Sequence, residues 1–125
     1  MAIKCFEDMI AWQKAQDFAV VIYKDFKNNN DWDFKNQICR ACISISNNLA
    51  EGFDRGTNPE FRRFSYIALA SNSEVKSMLY LALRLNYIDE IRFKALLLKS
   101  EEIAKILNGL INSLTPSSYS LTTNH

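Results

Sequence analysis

Histidine is almost missing from this chain of 125 residues: the single one, His125, is the last residue. That removes the imidazole base that activates a serine or cysteine nucleophile, most zinc-ligand sets, and the Glu-x-x-His motif of carboxylate di-metal bundles. No G-x-G-x-x-G or Walker sequence occurs, so a phosphate-cradling loop is lacking too. Cofactors and enzymatic activity are therefore not expected. Glycine (3) and proline (2) are scarce, which leaves little to interrupt long helices and argues against loop-rich β structure. There is no run of about 18 apolar residues to span a membrane, and the N-terminus MAIKCFEDMIAW has no basic stretch before an apolar core, so a cytoplasmic protein is expected. Cysteines are few and odd in number, at positions 5, 39 and 42, which is no secreted disulfide framework. Charge of one sign is missing as well. With 15 basic and 14 acidic residues the net charge is +1, and any attraction to nucleic acid must come from a local patch.

What is present is helical periodicity. Trp12, Ala15, Ala19, Ile22 and Phe26 recur at three and four, predicting a first helix over about Phe6 to Lys27, stopped by Asn28-Asn29-Asn30-Asp31. Trp32 is expected to fold back onto the bundle. A second helix is expected from about Asp33 to Phe53, ending near Gly52 to Gly56. Thr57-Asn58-Pro59-Glu60 reads as a capping box with proline in the first turn. The third helix it opens, to about Asn86, carries a seam of Phe61, Phe64, Ala68, Ser71, Val75, Met78, Ala82 and Leu85. Asp89 caps a fourth helix reaching Leu114, and residues 115–125 have no period and read as a flexible C-terminal tail. Short loops between helices of this length predict an all-α domain over residues 1–114, an antiparallel up-down-up-down four-helix bundle.

The second helix is unusual. In QICRACISISNNLAEGFDRG, residues 37–56, apolar side chains fill about 200° of arc. The remaining wedge holds Gln37, Arg40, Ser44, Asn47, Asn48 and Glu51 rather than the lysines and glutamates of a plain solvated face. Arg40 and Glu51 stand eleven residues apart, about 16 Å along the axis, so they cannot pair within the helix. Glu74 is a candidate partner for Arg40, and Arg55 or Arg62 for Glu51. Cys39 and Cys42 form a C-x-x-C inside this helix, where they read as buried small hydrophobes rather than a redox pair. The third helix presents Arg62, Arg63, Tyr66, Tyr80 and Arg84 opposite its seam, with Ser73 and Ser77 between. Arginine and tyrosine of this kind suit a subunit interface, also suit phosphates and bases, and are compatible with an ordinary solvated surface.

The residues also carry a resemblance. Gln37 to Ala41, Ser44-Ile45, and Asn48 to Phe53 with Arg55 resemble the Q-I-x-R-A-x-x-S-I-x-x-N-I-A-E-G-x-x-R core of the four-helix-bundle proteins encoded in intervening sequences of bacterial 23S rRNA genes, also labelled S23 ribosomal proteins. Phe6, Asp8 and Trp12 to Ala15, then Phe64, Ile67, Ala68, Ser71 and Glu74, and finally Asn86 to Ile88, match further family positions, so the likeness covers about residues 6–112. The resemblance implies an antiparallel bundle that assembles into a ring, a homopentamer, with no catalytic activity. It also implies RNA as a ligand of some members, and kinship with bundles that accompany reverse transcriptases. Arg40, Ser44, Asn48, Glu51, Arg55 and Glu74 are the residues expected to form the family's polar network. Ala70, Asn72, Cys39 and Cys42 depart from the family pattern, and Asn72, inside the apolar arc, requires a hydrogen-bond partner.

Overall fold

Three of the four helices begin where a short oxygen-bearing side chain can satisfy a free backbone N–H. Asp31 accepts from the Phe34 amide at 3.1 Å, Thr57 from Glu60 at 3.4 Å and Asp89 from Arg92 at 2.7 Å. The computed structural model describes residues 3–116, and these caps open α2 (Trp32–Asp54), α3 (Asn58–Arg84) and α4 (Glu90–Leu114). Ahead of them lie a 3-10 turn at Phe6–Asp8 and α1 (Ile10–Phe26). The first helix is thus shorter than expected. Met9 is extended, and the chain before it turns so that Phe6 meets Trp12 edge-on at 5.3 Å. The segment expected as a tail lies outside the described residues from 117 onward.

The capping box at Thr57 is only half made. Glu60 turns its carboxylate to Arg63 at 3.1 Å and Arg55 at 3.6 Å instead of reaching back to the cap, because a guanidinium is a stronger partner for it than a neutral amide. At its other end α3 stops two residues before the expected Asn86. Asn86 adopts φ +61°, and the Tyr87 amide reaches back to the Ala82 carbonyl at 2.8 Å, closing the helix with a left-handed cap.

Contacts between neighbouring helices run in opposite sequence order, which makes the bundle antiparallel. Gln16 meets Ser46 while Phe26 meets Phe34 across α1 and α2. Gln37 meets Glu74 while Gly52 packs on Phe64 across α2 and α3. Tyr80 meets Phe93 while Arg62 meets Leu114 across α3 and α4, and Lys14–Glu102 with Asp25–Arg92 close the square.

The core runs the length of this square. Phe18, Ile22, Phe26, Ile38, Ile45, Leu49, Val75, Leu79, Leu96 and Leu107 are essentially inaccessible to solvent. Burial of that apolar surface, at about 25 cal/mol per Å², is the main force holding the helices together. Gly52, expected to end α2, lies inside it. A Cβ there would fall 2.5 Å from the Phe64 Cβ, so the glycine permits close approach of α2 to α3. Gly56, at φ +87°, makes the turn.

Candidate functional site

The polar wedge of α2 faces α3 and splits into three separate clusters. In the first, Ser44 and Ser71 hydroxyls lie 2.8 Å apart, and the Asn48 amide donates to both the carbonyl and the hydroxyl of Ser44 at 2.8 and 2.9 Å. In the second, the Gln37 amide donates to the Glu74 carboxylate at 3.4 Å. The third lies a few turns away, where Arg55 pairs with Glu51 at 3.3 Å and with Glu60. The expected pairing of Arg40 with Glu74 is not made. Arg40 is exposed and has no hydrogen bond or ion pair among the described residues, and Gln37, one turn earlier on α2, is the side chain that meets Glu74. Gln37, already in the polar wedge, and Ser71, expected in the seam of α3, complete these clusters, although neither was expected in the polar network.

The arginine and tyrosine face of α3 is divided too. Arg62 leans toward α4 and donates to the Leu114 carbonyl at 2.8 Å, capping that helix. Arg63 is held by Glu60, which keeps that carboxyl below its ordinary range chiefly through the Arg63 hydrogen bond. Its guanidinium also lies 4.5 Å from the centre of the Phe64 ring. Tyr80 packs edge-on against Phe93. Of the five, Tyr66 and Arg84 alone are exposed and without a side-chain partner among the described residues.

Two grooves flank the exposed ridge of α2. Between α2 and α3 lies one of about 570 Å³, with Asp33 and Glu74 as its acids and Arg40 on its rim. Between α1 and α2 lies one of about 700 Å³, lined by Tyr23, Lys24, Lys27, Lys35 and Arg40 with no acid. Lysines 24, 27 and 35 were not singled out by the sequence reading. The available signal was their placement on either side of a hairpin turn, which brings the end of α1 beside the start of α2.

Cys42 is buried, and burial pushes its thiol up to about 12; burial raises Cys39 as well. Both stay protonated and inert near neutral pH. Ser44, Ser46 and Ser71 hydrogen-bond to one another, to amides or to carbonyls, not to a base. Among the described residues no group of three His, Cys, Asp or Glu side chains could hold a metal ion, and no helix is long and apolar enough to cross a membrane.

This geometry can be set beside known proteins. Residues 7–109 match the family model described as 23S rRNA-intervening sequence protein. The chain belongs to that family. Among solved structures the chain is similar to a protein of unknown function from the S23 ribosomal protein family of Bacteroides thetaiotaomicron. It is 28% identical, with a TM-score of 0.77 over 82% of this chain and 98% of that one. No curated protein matches. The family's core motif falls on α2, the helix that carries the polar clusters and the wall shared by both grooves.

Proposed function

We propose that this member of the 23S rRNA-intervening sequence family is a non-catalytic cytoplasmic bundle whose work is done by assembling with further copies of itself, five by family resemblance. The supporting observation is the outward face of α3. Tyr66 (55% exposed), Ile67, Leu81 (44%) and Leu85 stand out in solvent among the small residues Ala70, Ser73 and Ser77, with Arg63, Glu74 and Arg84 as the exposed charges beside them. Small residues between large apolar ones allow another helix to approach closely, and a solvated face would carry more charge. Glu74 and Arg84 both lack an ion-pair partner among the described residues, so each is free to pair with a different surface of the neighbouring copy, as a closed ring requires. Three free cysteines, two of them buried, fit a reducing compartment. Protonated thiols and serines without a base support the non-catalytic reading.

Solution mass by light scattering tests this. The expected result is five times the 14.4 kDa chain mass, reduced to a single chain by Leu81→Glu with helix content unchanged. A monomeric wild-type protein overturns the proposal, and an assembly indifferent to Leu81→Glu removes the α3 face from it.

A further inference from the structure

The ion pairs of this protein are unevenly distributed. Among the described residues Lys14, Arg55, Arg63, Lys76, Arg92 and Lys94 have carboxylate partners. Nine cations among the described residues have none; four of them, Lys24, Lys27, Lys35 and Arg40, line the α1/α2 groove together, whereas Lys4, Arg62, Arg84, Lys99 and Lys105 lie outside it. A chain of net charge +1 therefore gathers four uncompensated cations in one open depression without an acid on its wall. The nearest counter-charges on the same ridge, Asp33 and Glu74, line the groove on the other side of Arg40. Like charges so placed repel one another and cost stability unless an anion joins them.

The rest of the lining narrows the anion. Tyr23 is 47% exposed at the rim, one helical turn before Lys27, and offers a free aromatic face beside the lysines. Asn36 and Asn47 are exposed, with side-chain amides that make no hydrogen bond among the described residues. Lys35 is held at the end of the groove, its ammonium 4.0 Å over the Trp32 ring and 3.4 Å from the Lys27 carbonyl. From Lys35 to Asn47 the α2 wall runs about 18 Å, enough to follow a strand rather than cup one phosphate. Cations that track a backbone, an aromatic face that stacks a base, and amides that reach base edges are the parts of a single-strand site. Polyphosphate would use the cations alone.

We propose that the α1/α2 groove binds a single strand of nucleic acid, its phosphates on Lys24, Lys27, Lys35 and Arg40 and a base against Tyr23. This is a different surface from the α3 face assigned to assembly. It also moves strand binding away from Arg62 and Arg63, which are engaged within the protein.

The experiment is fluorescence anisotropy with a labelled ten-nucleotide oligo-U RNA and the matching oligo-dT, from 50 to 300 mM salt, with the protein's mass followed by light scattering. Binding is expected for at least one strand. Lys24→Glu with Lys27→Glu should weaken it tenfold or more and flatten the salt slope by about 1.4, two lost phosphate contacts at about 0.7 each. The same charge change on α4, Lys94→Glu with Lys99→Glu, should alter it less than twofold. Tyr23→Ala should weaken it about fivefold while Tyr23→Phe retains it. No binding to either strand overturns the proposal, as does equal weakening by the α1 and α4 pairs. Inorganic polyphosphate competing as well as RNA, with Tyr23→Ala silent, would make the groove a polyphosphate site. Polyglutamate competing as well as RNA would make it a docking face for an acidic protein. Either result overturns the nucleic-acid assignment. If wild-type mass shows assembly while binding fails, the strand site falls and the assembly reading stands; a monomer that binds strands gives the reverse.

Discussion

Asn72 on α3 and Ser100 on α4 exchange two hydrogen bonds in the dry interior of the bundle. The Asn72 amide donates to the Ser100 carbonyl at 2.9 Å, and the Ser100 hydroxyl donates to the Asn72 side-chain oxygen at 3.1 Å, with the two residues 2% and 0% exposed. The pair fixes the register of α3 against α4, since sliding either helix would strand polar groups among apolar neighbours. Asn72→Ala is expected to cost about 2 to 3 kcal/mol through the cavity and the unpaired groups left behind. Asn72→Leu combined with Ser100→Ala should recover most of it, because both polar side chains are then gone and the Ser100 carbonyl remains in the helix of α4. Urea unfolding of wild type, Asn72→Ala, the double variant and its two component single variants checks both statements, and additive single effects would refute the coupling.

At the end of the bundle where two loops meet, the Tyr87 hydroxyl donates to the Asp31 carboxylate at 2.6 Å. That bond, with help from the Phe34 amide, lowers the Asp31 carboxyl, and it raises the Tyr87 hydroxyl. A lowered acid stabilises the fold above its unfolded pKa of about 3.9, and the effect is lost as pH falls through the folded value. A raised tyrosine stabilises below about 10, and the effect is lost as pH rises through its folded value. The stability difference between wild type and Tyr87→Phe should therefore be largest from about pH 5 to 9 and shrink on either side. Thermal melts across pH would detect a flat difference, which contradicts this linkage.

Gly52 leaves no room for a side chain against Phe64. Gly52→Ala, usually a gain inside a helix, is expected here to cost about 1 to 3 kcal/mol, because backbone or ring must shift to admit the methyl group. Chemical denaturation measures it. A stabilised variant would mean that α2 and α3 can separate at no cost.

Thiol labelling distinguishes the three cysteines. Cys5 is exposed, with its thiol raised chiefly by the hydrogen bond to Asp8, whereas Cys39 and Cys42 are buried and raised by that burial. At pH 8 in native buffer a chromogenic disulfide reagent should modify Cys5 first. Cys42 should react only on the timescale of unfolding, and its rapid labelling in the folded protein would contradict the packing of α2.

The helices, their order and most of the core were legible in the sequence because apolar spacing and capping residues act locally. Thr57 and Asp89 cap their helices as expected, and Phe64, Ala68, Val75, Met78 and Ala82 of the expected seam are buried, whereas Leu85 at its end is 46% exposed because α3 stops at Arg84 and Leu85 is its cap. Trp32 went the other way: expected to fold onto the bundle, it is 65% exposed as the first residue of α2, since Asp31 caps the helix and directs that position outward. Asn72 announced its need for a partner, but Ser100 became visible only once α3 and α4 were packed.

Sequence by itself determined the class of fold, the family core on α2 and the scarcity of catalytic groups, all properties of residue identity and short-range spacing. Tertiary structure alone decided which polar groups meet. It gave Glu74 to Gln37 rather than Arg40, turned Arg62 to the end of α4, and brought the lysines of α1 beside Lys35 of α2. Those outcomes depend on helix rotation and register across the bundle, where a shift of one residue turns a side chain by about 100°, and no local pattern encodes that angle.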